Sequence, residues 1–188
     1  MNALRRTAGR LAIGLALVAV AATSAAYAQK RGQFKRLDVP YVETPHEAVA
    51  AMLKLAGVGP TDVVYDLGSG DGRIVIAAAR DFGAKFAVGV DIDEQRVAEG
   101  QENARDAGVG DRTRFVQGDV FRFDFSEATV LAMFMSARIN TELLPRIKAQ
   151  LRPGTRIVTY RFPIAGWTPR KVVQSKGGNV YLWIVPES

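Results

Sequence analysis

Residues 63–79 read VVYDLGSGDGRIVIAAA, and this stretch decides the fold. Val63, Val64 and Tyr65 make a short apolar run of strand type that ends in Asp66. Asp66 to Gly72 then form a glycine-rich turn, and Ile74 to Ala79 continue as a buried helix. A strand, a glycine turn and a helix in that order mark the place in an open α/β sheet where backbone must approach a ligand closely. The glycines are spaced GxGxG at Gly68, Gly70 and Gly72, with Arg73 where a dinucleotide fingerprint wants its third glycine. No Lys-Ser/Thr follows to make a phosphate-binding loop. Asp66 and Asp71 flank the turn, and carboxylates there favour a ligand with positive charge over a pyrophosphate.

The pattern repeats outward. Phe86 to Val90 predict a second strand ending in Asp91, followed by a helix over 93–107 that Asp93 is placed to cap. Thr113 to Gln117 predict a third strand, after which Gly118 leads to Asp119. Asp91, at its strand tip, can accept both hydroxyls of a ribose, and Asp119 falls within reach of an adenine amino group. Further strands are expected at 128–134, 156–162 and 179–185, with a helix over 138–151. Strands alternating with helices mean an α/β fold, its parallel sheet covered on both faces. Upstream, Thr44-Pro45-His46-Glu47 reads as a capping box with Pro at the first helical position, and Ala48, Val49, Met52, Leu53 and Leu55 fit one face of the helix it would start.

Composition narrows the chemistry. The 188 residues include no cysteine, and His46 is the single histidine. Disulfides, zinc clusters of the finger type, a thiol nucleophile and a multi-histidine metal site are thereby excluded. The formal charge of +6 overstates the basicity of the domain. Residues 1–28 contain no acid and read as a signal peptide: Arg5, Arg6 and Arg10, then an apolar run from Leu11 to Ala22, then Ala26-Tyr27-Ala28 before Gln29. An uncleaved anchor is the alternative reading of the same run. Lys30, Arg31, Lys35 and Arg36 belong to a basic linker over 29–38, which leaves 39–188 as the organised domain. Its nearly balanced charge gives no reason to expect nucleic acid, whereas residues 1–36 allow membrane proximity.

These motifs resemble the class I S-adenosylmethionine-dependent methyltransferases. VPYVETP at 39–45, VVYDLGSGDGRIVIAAA at 63–79 and RFPIAGWTP at 161–169 are most similar to the small protein-lysine methyltransferases that modify the ATP synthase c subunit and the adenine nucleotide translocase, and to their bacterial relatives. The resemblance implies a Rossmann-like, mostly parallel seven-stranded sheet with helices on both faces, S-adenosyl-L-methionine as cofactor and a protein lysine as substrate; a monomer is expected. It also implies that Asp66, Gly68, Ser69 and Gly70 cradle the methionine part, Asp91 with Ile92 holds the ribose, Asp119 with Val120 meets the adenine, and Tyr41 to Thr44 cover the cofactor near its methyl group. Glu43 stands where such relatives often carry Pro.

Methyl transfer from a sulfonium asks for alignment and exclusion of water, with no metal and no covalent residue. A lysine amine must lose its proton first, and an aromatic channel lowers its pKa and admits its narrow stem. Tyr41, Phe134, Tyr160, Phe162 and Trp167 are the channel candidates, with plain core packing as the alternative for Phe134 and Phe162. After the fourth strand, Phe134-Met135-Ser136-Ala137 stands where adenine and glutamine amino-methyltransferases carry Asn/Asp-Pro-Pro-Tyr/Phe. Two other readings stay open: a small-molecule methyltransferase, and a non-catalytic exported domain that binds S-adenosylmethionine or a nucleoside. The leader predicts a periplasmic or membrane-anchored protein although this cofactor is made in the cytosol; a start codon near Leu37 or Val39 would instead make it cytoplasmic.

Overall fold

The computed structural model describes residues 41–187, all within the compact unit Leu37–Ser188. The signal peptide and basic linker expected over 1–38, and the first residues of the domain, lie outside the described residues. The chain runs α1 (His46–Ala56), β1 (Val63–Leu67), α2 (Arg73–Arg80), β2 (Phe86–Asp91), α3 (Glu94–Asp106), β3 (Thr113–Gln117), β4 (Val130–Met133), α4 (Ala137–Gln150), β5 (Arg156–Tyr160), β6 (Lys171–Ser175) and β7 (Gly178–Ile184). One sheet holds all seven strands in the order β3-β2-β1-β4-β5-β7-β6. β1 to β5 are mutually parallel, and β7 runs antiparallel to both β5 and β6.

Alternation along the strands divides the core in two. Val64, Ala87, Val130, Ala132, Val158 and Val180 face α1, α2 and α3. Tyr65, Leu67, Val88, Val90, Leu131, Met133, Ile157 and Trp183 face the other way, onto Ile139, Leu143 and Ile147 of α4. The period of 2 in the strands meets the 3.6 period of the helices, so both faces of the sheet are covered. At the edge opposite the glycine turn, buried Asp62 accepts from Thr129 Oγ1 at 2.7 Å and pairs with Arg156, tying the starts of β1, β4 and β5.

Three expectations change. Alternation of strands and helices continues only as far as β5; no helix intervenes between β5, β6 and β7, which therefore close the sheet as an antiparallel hairpin. β6 escapes the sequence pattern because Lys171-Val172-Val173-Gln174-Ser175 is a half-exposed edge segment without a clean apolar face. The capping box does not form. Pro45, not Thr44, is the N-cap of α1, and no side chain caps it. Arg73 Nη1 draws the Thr44 carbonyl towards the glycine turn at 2.8 Å, while Glu47 pairs with Lys176 of the β6–β7 turn at 2.9 Å. By contrast, Asp93 caps α3 as expected, accepting from the Gln95 amide at 2.9 Å.

Candidate active site

The ends of β1, β2 and β3 lie side by side, so the turns that follow them form one continuous rim. Gly68 and Ser69 donate their amides to the Val90 carbonyl at 2.8 and 3.0 Å, which folds the glycine turn against β2. Gly70 has φ 52° and its amide donates to Asp91 Oδ2 at 2.8 Å. A side chain at Gly70 would strike the ring of Tyr41, so glycine is required for space as well as for conformation. Gly72, at φ 85°, meets a different limit: a Cβ there would lie 2.6 Å from the Phe115 ring. Asp91 Oδ1 accepts from the Asp93 amide at 2.9 Å. Each of its oxygens is thus oriented by one backbone donor and keeps a lone pair for a ligand.

Asp66, Asp91 and Asp119 are brought to adjacent strand tips, but their states differ. Asp66 is 2% exposed and one of its oxygens has no hydrogen-bond partner. Burial, reinforced by the charges of Asp91 and Asp71, pushes its carboxyl up to about 8. Asp119 accepts from the Phe121 amide at 2.9 Å and has Arg122 at 3.8 Å, while the Gly118 amide before it binds the Asp91 carbonyl. Asp71 departs from the reading that gave its charge to a ligand. Arg73 grips its carboxylate with Nε at 3.0 Å and Nη2 at 2.5 Å. Burial would raise the Asp71 carboxyl, but these bonds outweigh it and hold the group below the usual carboxylate range. Ile92 is half-buried and its carbonyl accepts from Gln117 Nε2 at 3.2 Å, while Val120 is buried in the α4-side core.

Over this turn runs the strap Tyr41 to Pro45. Tyr41 lies on Gly70, its hydroxyl bonded to Asp71, and the Arg96 guanidinium sits 4.5 Å above its ring centroid. Burial and the Asp71 charge raise the Tyr41 pKa. Arg73 also reaches Glu43 at 3.1 Å, so one guanidinium fastens the turn to the strap through Asp71, Glu43 and the Thr44 carbonyl. Thr44 itself is buried. Neither Arg73 nor Arg96 stands out as a site residue in the sequence. The one available signal is the arginine that replaces the third glycine.

A second wall lies at the ends of β4 and β5. Phe134 packs 4.9 Å from Tyr160 and stacks on Phe162 at 6.2 Å with 12° between the rings. Met135 beside it lies 3.3 Å from the position of a Cβ on Gly68, so this wall adjoins the glycine turn. Tyr160 is fully buried and its hydroxyl donates to the Lys176 carbonyl at 2.7 Å, which makes it a support behind Phe134. Trp167 goes elsewhere. It packs 6.3 Å from Trp183 in the α4-side core, beneath Lys148, away from the Phe134 cluster. Arg161, at φ 61°, is the one described non-glycine residue with positive φ; the Phe162 amide closes the turn onto the Tyr160 carbonyl at 2.7 Å. Such a backbone costs about 1–3 kcal/mol and is held only where its surroundings impose it.

The family model for the ANTKMT methyltransferase domain matches residues 66–171, from the glycine turn to the start of β6. The chain belongs to this methyltransferase family. A protein-lysine N-methyltransferase of Saccharolobus islandicus is 46% identical over 153 residues, 79% of this chain and 95% of that protein. The ATP synthase c-subunit lysine N-methyltransferase of Xenopus laevis is 32% identical over 84% of this chain and 67% of its own length. Among solved structures, an RNA methyltransferase of Salinibacter ruber in complex with S-adenosyl-L-homocysteine is 48% identical and superposes with a TM-score of 0.76 over 78% of this chain and 95% of that one. The methyltransferase therefore uses S-adenosyl-L-methionine. Its own residues fit that cofactor: an unpartnered Asp66 oxygen and Ser69 Oγ inside the glycine turn for its polar methionine end, and an oriented Asp91 carboxylate for its ribose.

Proposed function

We propose that this methyltransferase modifies the ε-amine of a lysine in a protein substrate. The Phe134–Phe162 pair beside the glycine turn carries this reading, because stacked rings at the β4 and β5 ends suit an aliphatic stem with an amine at its tip. The lysine specificity of relatives 46% and 32% identical supports it. S-adenosylmethionine supplies a methyl group already activated on a sulfonium. Asp66, Ser69 and Asp91 bind it, and the strap from Tyr41 to Thr44 covers it. Phe134 and Phe162 desolvate the amine, which favours its neutral, nucleophilic form, and hold it in line with the methyl group. The chain contributes no covalent step.

RNA is the competing acceptor, since the Salinibacter relative is an RNA methyltransferase. Host extract incubated with the enzyme and methyl-tritiated S-adenosylmethionine separates the two. Label that survives ribonuclease, is removed by protease and maps to methyl-lysine by mass spectrometry is the expected result. Label that is released by ribonuclease, or no incorporation at all, overturns the proposal. We also propose that residues 1–28 direct export; reading the N-terminus of the protein from its native host tests this, with Gln29 expected first.

A further inference from the structure

β3 stands at one end of the strand order, so it pairs with β2 alone and its other side carries no strand. An edge of this kind presents backbone N–H and C=O groups that a further strand can meet. Along it lies a cleft of about 740 Å³, bounded by β3, the last turns of α3 and the turn between them. Its lining comes from both faces of the sheet. Thr113 and Phe115 are in register with Ala87 and Gly89, on the side that α3 covers, whereas Arg114 is in register with Val88, on the α4 side. Because Arg105 of α3 lines the same cleft, the cleft wraps round the free edge with a guanidinium on each side of the sheet. Both arginines are exposed, and neither guanidinium has an ion pair or a hydrogen bond among the described residues. Arg96 on the same helix, by contrast, is held by Glu99. Asp111 is the one carboxylate in the lining, so the cleft keeps an excess of positive charge. The edge backbone is loosely met as well: Gln101 Nε2 reaches the Phe115 carbonyl at 3.5 Å, the outer limit of a hydrogen bond.

We propose that this cleft docks an acidic, extended segment of a protein partner, which adds a strand to the free side of β3. Main-chain hydrogen bonds along the edge hold the segment, and its side chains choose it. Successive side chains of an extended chain point to opposite faces of a sheet. Two consecutive carboxylates therefore meet Arg105 on one face and Arg114 on the other. An apolar strand leaves both guanidiniums unmatched, and an RNA strand has phosphates but no row of amide N–H groups to pair with the edge. In the strand order, β5 lies four spacings from β3, about 19 Å, so a partner docked at this edge leaves the Phe134–Phe162 wall open. The inference concerns docking alone and holds whichever group receives the methyl.

The test measures binding of three fluorescein-labelled peptides to the full-length enzyme by fluorescence anisotropy at low salt. Thr-Val-Glu-Glu-Val-Thr has the paired carboxylates and a strand-forming backbone. Thr-Val-Gln-Gln-Val-Thr lacks the charge, and Thr-Pro-Glu-Glu-Pro-Thr keeps the charge but lacks two backbone donors. The first is expected to bind about tenfold more tightly than either of the others. Arg105→Gln and Arg114→Gln should each weaken it about threefold, as befits exposed ion pairs, and leave the glutamine peptide unchanged. Neither arginine belongs to the cofactor machinery, so unaltered S-adenosylmethionine binding shows that both variants are folded. Equal binding of the proline peptide reduces the cleft to a general attraction for anions and overturns the inference, as does an acidic peptide that does not bind or that ignores both substitutions. An oligouridylate of equal charge that binds more tightly, and loses affinity with the same substitutions, overturns it in favour of RNA.

Discussion

The β1–β3 side of the rim and its β4–β5 side are built by different means. On the first side, backbone amides do the positioning: Gly68 and Ser69 bind the Val90 carbonyl, Gly70 binds Asp91, and Gly118 binds the Asp91 carbonyl. Acids then supply the polarity. On the second side, side chains position one another, through Phe134 on Phe162, Tyr160 behind them and Asn140 under the Phe162 carbonyl. The side that fits the cofactor is shaped by backbone, whose geometry tolerates few substitutions. The wall proposed to receive the substrate is built from side chains, which can change singly without disturbing the sheet. The two sides should therefore fail separately when altered.

The largest expected effect comes from Asp66. Its folded pKa of about 8 lies well above that of an unfolded aspartate, so between about pH 4 and 8 the folded state holds a proton that the unfolded state has lost. Stability is then fully present below pH 4 and declines as pH rises towards 8, with a slope up to about 1.4 kcal/mol per pH unit. Chemical denaturation across this range should show the slope in the cofactor-free protein and lose it in Asp66→Asn. A cationic methionine end favours the ionised carboxylate, so calorimetry in buffers of different ionisation enthalpy should detect proton release on S-adenosylmethionine binding near pH 7. An unaltered slope in the variant would remove Asp66 from this role. The next effect belongs to Asp91. Asp91→Ala removes the charge-assisted bond to the Gly70 amide and the acceptor proposed for the ribose, and should weaken S-adenosylmethionine by about 2 kcal/mol, roughly 30-fold, in titration calorimetry.

The same contrast governs what can be read from the sequence. Strand tips are legible because an apolar run, a glycine and an acid follow one another locally, and so Asp66, Asp91 and Asp119 can be aligned before any coordinate is known. Partners distant in the chain are not legible in this way. Asp71 reads as a free charge until Arg73 is seen to curl back onto it, and Thr44 reads as a cap until the same arginine takes its carbonyl. Trp167 and Phe162 belong to one loop and look equally suited to a channel; the turn at Arg161 and the bond from Asn140 send Phe162 to Phe134, while Trp167 joins Trp183. Asn140 carries no motif at all. Its burial and its bond to the Phe162 carbonyl have no sequence signature.

Phe162→Ala tests the separation from the substrate side. The ring is partly exposed and stacks on Phe134 rather than on the glycine turn, so S-adenosylmethionine affinity should change less than twofold. Loss of the stacked wall should lower turnover on lysine about tenfold, in keeping with the roughly 1–1.5 kcal/mol that an aromatic pair contributes beyond its area. A parallel loss of cofactor affinity would show that the two sides are mechanically one.

The smallest effect is expected at Glu43, which joins the strap to the turn through Arg73. Its side chain is 67% exposed, against 15% for Arg73, so water screens the pair and its contribution should not exceed about 0.5 kcal/mol. Arg73 meanwhile keeps Asp71 and the Thr44 carbonyl, both better buried than Glu43. Glu43→Gln should accordingly speed S-adenosylmethionine dissociation about twofold at low salt in stopped-flow measurements, with the difference vanishing near 1 M salt, where charges separated by more than about 3 Å of solvent no longer interact. A larger, salt-insensitive change would mean that the strap is held mainly by this one exposed carboxylate, and the backbone-built side would then depend on a replaceable side chain after all.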